Sequence, residues 1–444
     1  MQSGLEFLDT FFGMGSMMFS LVPGHDCPAY ATYIDMTFTK GEQTKTNKNA
    51  ICIFEYTSDA PLQRHTAGTS VSISRNTYLV VRSVSTVGNY DYTIDYIFYL
   101  DGTIEVKVRA SGFIFAAFMP QTPGASPVSE PDNTYGYRIH DAAMSSMHDH
   151  VLNFRADMDI AGGRNSFQRT AITPHVQAYA WDKPEVPGYR NTMHLNHTIV
   201  SHETGINWPH NSGEIYLITS NQTNAWGSQK AYRILPGTGI GTPSHLTIIN
   251  STTLGRSAMW ASSDIWVLRA HDTEPSSAHH MNYIDPTDPL VDFSKMVDGE
   301  RIVDEDLVVY FNLGGHHVPH SGDVPNTLMH TSASSVMFSP FNHFDYDVSR
   351  DTRQGVRIDR ALSSDAQAGS DGELKSREKR GEDRGNGGVR YFGAKYDEDV
   401  AVHKEELEPD LSRYMRDRED DSWDMDGGLL GLFGGWKKNG WFGR

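Results

Sequence analysis

The sequence predicts an all-β protein, a large antiparallel β-sandwich followed by a disordered, charged C-terminal tail. Three observations lead to this fold class. Alternating apolar and polar runs are bounded by turn residues, hardly any segment shows a sustained helical period, and the composition changes sharply near Leu362. We therefore expect one domain over residues 1–362 and a tail over residues 363–444, with no internal repeat.

The clearest strand pair is a hairpin that turns at Asp101-Gly102. Residues 92–100 lead into the turn, and residues 103–110 return from it. Apolar residues alternate with charged ones on the returning strand, as expected when one face is buried and the other is wet. Asp-Gly supplies the positive φ angles of a tight turn. Further strands are predicted at Tyr78–Ser83, Glu214–Ser220, Ile265–Ala270 and Leu307–Phe311.

The predicted tail differs from the body in its charge density. Residues 363–444 contain 14 Lys and Arg and 19 Asp and Glu among 82 residues. Such a segment, with few β-branched residues, cannot bury enough apolar surface to offset its chain entropy. Apolar and aromatic residues return in residues 427–444, but they stand among glycines that disfavour a stable helix.

Charge and composition exclude several classes of protein. The 444 residues carry 38 Lys and Arg against 56 Asp and Glu, a net charge of −18, which argues against nucleic-acid binding. No apolar run is long enough to span a membrane, and the first residues lack the basic start of a signal peptide. Two cysteines exclude a disulfide scaffold and leave either one bridge or two free thiols.

Histidines at ligand spacing form the first candidate site. His148 and His150 would project from the same face of a strand while Asp149 points away, so both imidazoles could reach one ion. The run from Gly314 to His320, which contains His316, His317 and His320, offers a third imidazole from another strand. Three neutral imidazoles without a thiolate suit Cu(II) or Zn(II). A solvated strand face is the alternative for any single pair.

Acidic residues form two further sets of hard oxygen donors. Asp157 and Asp159 alternate in the manner of calcium ligands, and Asp298, Glu300 and Asp306 follow later in the chain. For each set a solvated acidic loop is the alternative.

The segment Val87-Gly88-Asn89-Tyr90-Asp91 resembles the topaquinone signature of the copper amine oxidases. In that family the tyrosine at the position of Tyr90, next to Asn89, is oxidised by copper and dioxygen into the quinone cofactor. The His-x-His unit, the Asp-x-Asp unit and the segment 317–327 follow in the family's order. The resemblance spans roughly residues 5–358 and implies the catalytic sandwich of that family, nearest to its eukaryotic diamine-oxidase-like branch.

The resemblance also implies roles for residues near the start of the chain. The segment 7–15 resembles the one that carries the catalytic base, which places Asp9 in that role. Its aromatic neighbours would raise the pKa of the carboxyl, as the removal of a weakly acidic C–H proton requires. Phe7 falls where an aromatic gate to the substrate channel is common, with a buried core side chain as the alternative. Cys27 and Cys52 stand at the positions of a family disulfide.

The implied activity is the oxidation of a primary amine to an aldehyde by dioxygen, with release of ammonia and hydrogen peroxide. The copper ligands would be His148, His150 and His317. The resemblance excludes His320, because the family ligand is the first histidine of the His-x-Pro-His unit.

Calcium is the second implied metal, in two structural sites. One ion would be bound by Asp157, Met158, Asp159, Asp306 and Leu307, with Met158 and Leu307 contributing backbone carbonyls. The other would be bound by Glu274, Met296 through its carbonyl, Asp298, Glu300 and, as a less certain ligand, Glu203.

The sequence departs from the family pattern at its start, where only eight residues precede Asp9. We therefore expect a catalytic domain that is incomplete at its N-terminus. A non-catalytic, amine-oxidase-like glycoprotein acting in adhesion or binding remains an alternative. So does a small-barrel metal oxygenase, although it leaves the Asn89-Tyr90-Asp91 motif unexplained.

The resemblance further implies a homodimer and a secreted or extracellular location. Sequons at Asn196, Asn221 and Asn250 give weak support for the secretory route. The preferred amine does not follow from the sequence, because the positions that shape a substrate channel cannot be assigned from it.

Overall fold

The structure is a computed structural model of the chain. It describes residues 14–40, 42–66, 70–118, 136–140, 143–145, 147–177, 190–209, 211–237, 251, 254–349, 354–359 and 389–392. These residues form strands and short 3₁₀ helices, and none of them lies in an α-helix. Within the same ranges there is no helix long and apolar enough to cross a membrane.

Twenty-two strands can be followed through the described residues. In chain order they are β1 (Thr32–Lys40), β2 (Gln43–Thr57), β3 (Gln63–Thr66), β4 (Ser70–Ser74), β5 (Thr77–Val87), β6 (Tyr90–Phe98), β7 (Ile104–Gly112), β8 (Ala116–Phe118), β9 (Arg138–His140), β10 (Ala143–Ser145), β11 (His148–Asp157), β12 (Asn165–Gln177), β13 (Arg190–Ile199), β14 (Thr204–Ile206), β15 (Glu214–Thr223), β16 (Gln229–Pro236), β17 (Ile265–Arg269), β18 (Val303–Glu305), β19 (Leu307–His317), β20 (Ser334–Phe341), β21 (Gly355–Asp359) and β22 (Val389–Phe392). The 3₁₀ helices are Met14–Met17, Met259–Ser262, Phe293–Lys295, Ser321–Asp323 and Met329–Thr331.

The largest sheet contains eleven strands. Its order is β1-β2-β5-β6-β7-β20-β16-β15-β12-β13, and β18 pairs with β12 beside this path. A four-stranded sheet, β11-β19-β17-β14, faces it, and two smaller sheets have the orders β8-β10-β9 and β22-β21-β4-β3. All recorded strand pairs are antiparallel. The fold class predicted from the sequence, an antiparallel β-sandwich, is confirmed.

The main core lies between the eleven-stranded sheet and the four-stranded sheet. Ile94 and Val108 of the large sheet pack in one cluster with Ile265, Val309 and Phe311 of the smaller one. The opposite face of the smaller sheet is covered by a second cluster that includes Trp260 and Tyr310. Because both of its faces are buried, β19 reads as a continuous apolar run.

The structure extends several strands beyond the predicted ends. β5, β6 and β7 reach residues 87, 90 and 112, and β19 continues through Gly314-Gly315 to His317. At the predicted hairpin turn, Gly102 has a φ of 88° and the Asp101 carboxylate accepts a hydrogen bond from the backbone N–H of Thr103. Residues 389–392, inside the predicted disordered tail, form β22 against β21, a segment whose valine and aromatic residues favour a strand. The rest of residues 363–444 lies outside the described residues.

The cysteine pairing implied by the resemblance is confirmed. Cys27 and Cys52 form a disulfide with their Cα atoms 6.7 Å apart. Both side chains are buried in a cluster with Leu21 and Phe54 against the first strands of the large sheet. The bridge therefore ties the segment before β1 to β2.

A buried ion cluster stabilises the sheet close to this bridge. Asp95 on β6, whose side chain is 2% exposed, lies 2.7 Å from Nε of Arg82 and 2.6 Å from Nη1 of Arg109. Arg82 also donates to the Asp26 carbonyl, next to Cys27. Burial alone would raise the pKa of Asp95, but hydrogen bonds and charge from Arg82 and Arg109 outweigh it and hold that pKa below its usual value.

We predict that Asp95→Asn lowers the free energy of unfolding at neutral pH by about 2 kcal/mol. The loss is moderated because both arginines are partly exposed. Since the folded-state pKa lies below the unfolded value of about 3.9, the carboxylate's contribution is complete above that pH and is lost as the pH falls through the folded pKa. The difference in the free energy of unfolding between the wild type and Asp95→Asn should therefore become smaller at acidic pH. Urea unfolding at several pH values measures this, with the exposed Asp59→Asn as control; equal effects of the two variants would contradict the account.

Candidate active site

Two of the three candidate copper ligands face each other across the β11–β19 ladder. Residue 148 pairs with residue 317, and residue 150 pairs with Gly315. Since side chains alternate along a strand, His148 and His150 lie on the same face, and His317 meets them from the neighbouring strand. The ladder runs without a shift over ten pairs, so the strand register brings these histidines to the same end of the sheet.

Gly314 allows the two strands to approach closely beside this site. It has a φ of 131°, and a Cβ atom there would lie 1.7 Å from the carbonyl oxygen of His150. A side chain at this position would therefore both strain the backbone and push β11 away. Gly314 is therefore required for the close approach of β11 and β19 beside the site.

The three imidazoles converge on one point. One ring nitrogen from each of His148, His150 and His317 lies within 4.8 Å of the others, and Nδ1 of His317 is 3.2 Å from Nε2 of His148. Nε2 of His150 is buried and has no hydrogen-bond partner. Burial, followed by the neighbouring His148 and His317, lowers the pKa of His150 to about 3. A neutral imidazole with an unused lone pair in a three-nitrogen cluster fits a Cu(II) or Zn(II) site.

Tyr90 places its hydroxyl at this cluster. It is the first residue of β6, directly after the two-residue turn Gly88-Asn89, in which Gly88 has a φ of 61°. The Tyr90 hydroxyl lies 3.2 Å from Nδ1 of His317 and 3.4 Å from Nε2 of His148. The ring is only 3% exposed, and burial raises the pKa of its phenol. Asn89 holds the turn by donating a hydrogen bond to the Phe113 carbonyl.

Two residues that contact the histidines were missed by sequence reasoning. The Tyr92 hydroxyl lies 2.8 Å from Nδ1 of His150, and Oδ2 of Asp323 lies 3.1 Å from Nε2 of His317. In each case the contact uses the ring nitrogen that points away from the cluster, so it fixes the orientation of the imidazole. Strand alternation from Tyr90 could have identified Tyr92. Asp323 gives no such signal, because a short 3₁₀ helix brings it back to His317.

A cavity of about 350 Å³ opens onto the site. Tyr90, His150, His317, Val318 and Thr327 are among its lining residues. Its size suits a small organic substrate. His320 also lines it, but its side chain is 64% exposed and its Nδ1 lies 2.9 Å from the backbone nitrogen of Gly322, which caps the 3₁₀ helix.

The first predicted calcium set is assembled in the structure. Carboxylate oxygens of Asp157, Asp159 and Asp306 lie within 4.8 Å of one another. Met158 donates its backbone N–H to the Leu307 carbonyl at 3.1 Å, which brings the two segments together. Burial first, then the charges of Asp157 and Asp159, raise the pKa of Asp306. Clustered carboxylates of this kind fit a hard cation such as Ca²⁺.

Three carboxylates of the second predicted set are also brought together, but two of them already have protein partners. Glu203, Asp298 and Glu300 each place an oxygen within 4.8 Å of the others. Glu203 accepts hydrogen bonds from the backbone of Asp298 and Gly299, and Glu300 lies 2.6 Å from Nε2 of His271. Burial is the main cause of the raised pKa of Glu274, and the three carboxylates of the set raise it further. Met296 ends the 3₁₀ helix Phe293–Lys295, two residues before Asp298.

Asp9 and Phe7, predicted as the catalytic base and the channel gate, lie outside the described residues.

Comparison with known proteins identifies the family. The domain described as "Copper amine oxidase, enzyme domain" matches residues 1–359. Copper amine oxidase vicK1 of Bipolaris victoriae is 40% identical over 358 residues, which cover 79% of this chain and 48% of that protein. A copper-containing diamine oxidase of Sus scrofa is 32% identical, covering 80% and 46%. The crystal structure of an Aspergillus nidulans amine oxidase superposes with a TM-score of 0.73 at 40% identity, covering 84% of this chain and 49% of that one.

The chain therefore belongs to the copper amine oxidase family, and its relatives include eukaryotic diamine oxidases. It spans about half the length of the curated relatives it matches. The family uses copper and topaquinone, and the histidine cluster described above fits the copper site. Calcium is typical of the family.

We predict that Gly314→Ala weakens binding of Cu(II) or Zn(II) roughly tenfold or more, because the new methyl group displaces β11 at His150. Gly162→Ala is the matched control: Gly162 also has a positive φ, 128°, but a Cβ there would have no neighbour within 4 Å. Competition with a chelator measures the affinity. Equal losses in the two variants would mean that backbone strain, and not the approach of the strands, explains the effect.

We predict that Ca²⁺ raises the thermal unfolding temperature of the wild-type protein and that Asp306→Asn reduces this shift. In the presence of a chelator, Asp306→Asn should unfold at a higher temperature than the wild type. The variant relieves the repulsion among the three carboxylates that the wild type has without a cation. Asp304→Asn, in an exposed ion pair with Arg164, is the control and should leave the calcium shift unchanged. A wild type that does not respond to Ca²⁺ would contradict the site.

Proposed function

We propose that this chain provides the catalytic domain of a primary-amine oxidase that depends on copper and on a topaquinone formed from Tyr90. The reaction converts a primary amine, water and dioxygen into an aldehyde, ammonia and hydrogen peroxide. The observation that carries the proposal is the position of the buried Tyr90 hydroxyl, 3.2 Å and 3.4 Å from two of three converging imidazoles. A tyrosine in a purely structural role has no need of an unpartnered imidazole nitrogen nearby.

Each residue of the site has a distinct role in this proposal. Copper would supply the redox chemistry with dioxygen, and a quinone formed from Tyr90 would supply an electrophilic carbonyl group for the amine. His148, His150 and His317 hold the metal, while Tyr92 and Asp323 orient two of the rings. Tyr90 provides the ring to be oxidised.

Two residues near the start of the chain, outside the described residues, would act on the substrate. Asp9 is the base that takes the proton from the substrate's α-carbon, and Phe7 gates the approach to it. The cavity beside Tyr90, lined in part by Val318 and Thr327, gives the amine a place next to the ring. Asn89, in the turn before Tyr90, positions the cofactor.

The acidic sets support a structural role for calcium. One ion is held by Asp157, Met158, Asp159, Asp306 and Leu307, and the other by Glu274, Met296, Asp298, Glu300 and Glu203. Among the described residues, the carboxylates of the first set have fewer protein partners than those of the second, so the first set is the stronger candidate.

The two alternative functions have less support. A non-catalytic adhesion protein would have no reason to keep Tyr90 and the three imidazoles in contact. The small-barrel oxygenase is wrong, because the chain matches the copper amine oxidase domain and forms an eleven-stranded sheet packed on a second sheet.

A homodimer is supported by the exposed hairpin β12–β13. Val176, Met193 and Leu195 on this hairpin are 56%, 76% and 58% exposed. Several large apolar side chains in one exposed hairpin are typical of a protein interface.

A secreted or extracellular location is supported by the Cys27–Cys52 disulfide, since such bonds persist in oxidising compartments. The sequon residues Asn196 and Asn221 are both exposed, as N-glycosylation requires, and Asn250 lies outside the described residues.

We predict that the protein, loaded with Cu(II) under oxygen, develops the visible absorption of a quinone and releases hydrogen peroxide when a primary amine is added. Tyr90→Phe should abolish both signals, because phenylalanine lacks the oxygen at which oxidation begins. Metal binding by this variant should persist, since the three histidines remain.

The control is Tyr232→Phe, at a half-buried tyrosine that donates to the Gly102 carbonyl elsewhere in the large sheet. It should retain quinone and peroxide. A copper-loaded wild type that stays colourless would contradict the proposed function.

A further inference from the structure

A second cross-strand pair lies directly behind the histidine cluster. Asp149 and His316 face each other on β11 and β19, one step inside the terminal pair His148–His317. Oδ1 of Asp149 lies 2.5 Å from Nδ1 of His316. Because side chains alternate along each strand, this contact is on the opposite face of the sheet from the ligands.

The ligand pair His148–His317 lies at the end of the ladder. His148 is the first residue of β11 and His317 the last of β19, so the two ligands occupy the pair most prone to fraying. Gly314 and Gly315 stand opposite Val151 and His150 and add no side-chain packing of their own. The positions of His148 and His317 therefore depend on side-chain contacts that hold the two strand ends together.

Side-chain hydrogen bonds bracket the glycines on the reverse face. Farther inside the sheet, Nδ2 of Asn153 donates to Oδ1 of Asn312 at 2.8 Å. At the end of the ladder the Asp149–His316 contact closes the same face. The Asp149 side chain is only 10% exposed, whereas that of His316 is 42% exposed, so the carboxylate is largely shielded from competing water.

We propose that Asp149 and His316 form a clasp that positions His148 and His317 for copper. The inference rests on the proposed copper site and extends it to two residues that do not touch the metal. Their bond keeps the last two pairs of the ladder in register, so that the ligand nitrogens converge before the metal arrives. Loss of the clasp should weaken copper binding and change the geometry of the ligands, even though all three histidines remain.

The first test measures Cu(II) affinity by competition with a chelator and the Cu(II) hyperfine splitting by EPR. Asp149→Ala and His316→Ala should each weaken binding by about threefold to tenfold and alter the splitting. The double variant should lose no more than either single one, since both changes break the same bond. Asp149→Asn keeps an oxygen acceptor without the charge and should bind within about twofold of the wild type.

The matched control is the cross-strand pair Arg169–Glu214, which joins β12 and β15 and has no ligand on its strands. Glu214→Ala should leave the affinity and the EPR spectrum unchanged. If Asp149→Asn weakens copper as much as Asp149→Ala, the carboxylate acts through its charge and the clasp is overturned. Unchanged affinity in Asp149→Ala would also overturn it.

A second test needs no metal and separates the clasp from the proposed function. In the copper-free protein, amide hydrogen exchange over residues 148–150 and 315–317 should be faster in Asp149→Ala than in the wild type and close to wild type in Asp149→Asn. Equal protection in Asp149→Ala and the wild type would contradict the clasp. A wild type that fails to bind copper would instead contradict the proposed function.

Discussion

The antiparallel pairing of β11 with β19 determines where every candidate metal ligand of the main site stands. Ten consecutive pairs run without a bulge, from Asp157 opposite Val308 to His148 opposite His317. A slip of one residue would turn the histidines toward the opposite face and separate His148 from His317. The apolar residues buried on both faces of β19 oppose such a slip, because alternate residues of the strand pack into two different clusters and a slip would exchange them.

The same pair of strands links two sites of different chemistry. The end of this strand pair that carries the three histidines offers nitrogen donors, which suit copper. At its other end Asp157 and Asp306 present oxygen donors that suit calcium. A cation at the carboxylate end would neutralise charge where β11 ends and β19 begins, and the buried ladder joins this end to the histidines. Tyr90 reaches the cluster from the facing sheet, so the sandwich itself brings ring and metal ligands together.

Much of this could be predicted from the sequence because it depends on local periodicity and on motif order. Strand alternation placed His148 and His150 on one face, and the tyrosine, histidine and carboxylate motifs in sequence implied the family. The sequence predicted that β19 ends at Phe311, because Gly-Gly is a turn signal in a sequence, whereas Gly314 serves a close approach to His150. Asp323 and the Asp149–His316 pair could not be found from spacing alone, since their partners are fixed by a 3₁₀ helix and by the strand register.

The most direct test of the account is the mass of the peptide containing Tyr90. The protein is loaded with Cu(II) without oxygen, exposed to oxygen and digested. The account predicts that this peptide gains two oxygen atoms and loses two hydrogens, that the change needs both copper and oxygen, and that it disappears in His317→Ala. An unmodified Tyr90 in copper-loaded, oxygen-exposed protein, or the same modification in His317→Ala, would contradict the claim that strand register places the tyrosine at a three-histidine copper site.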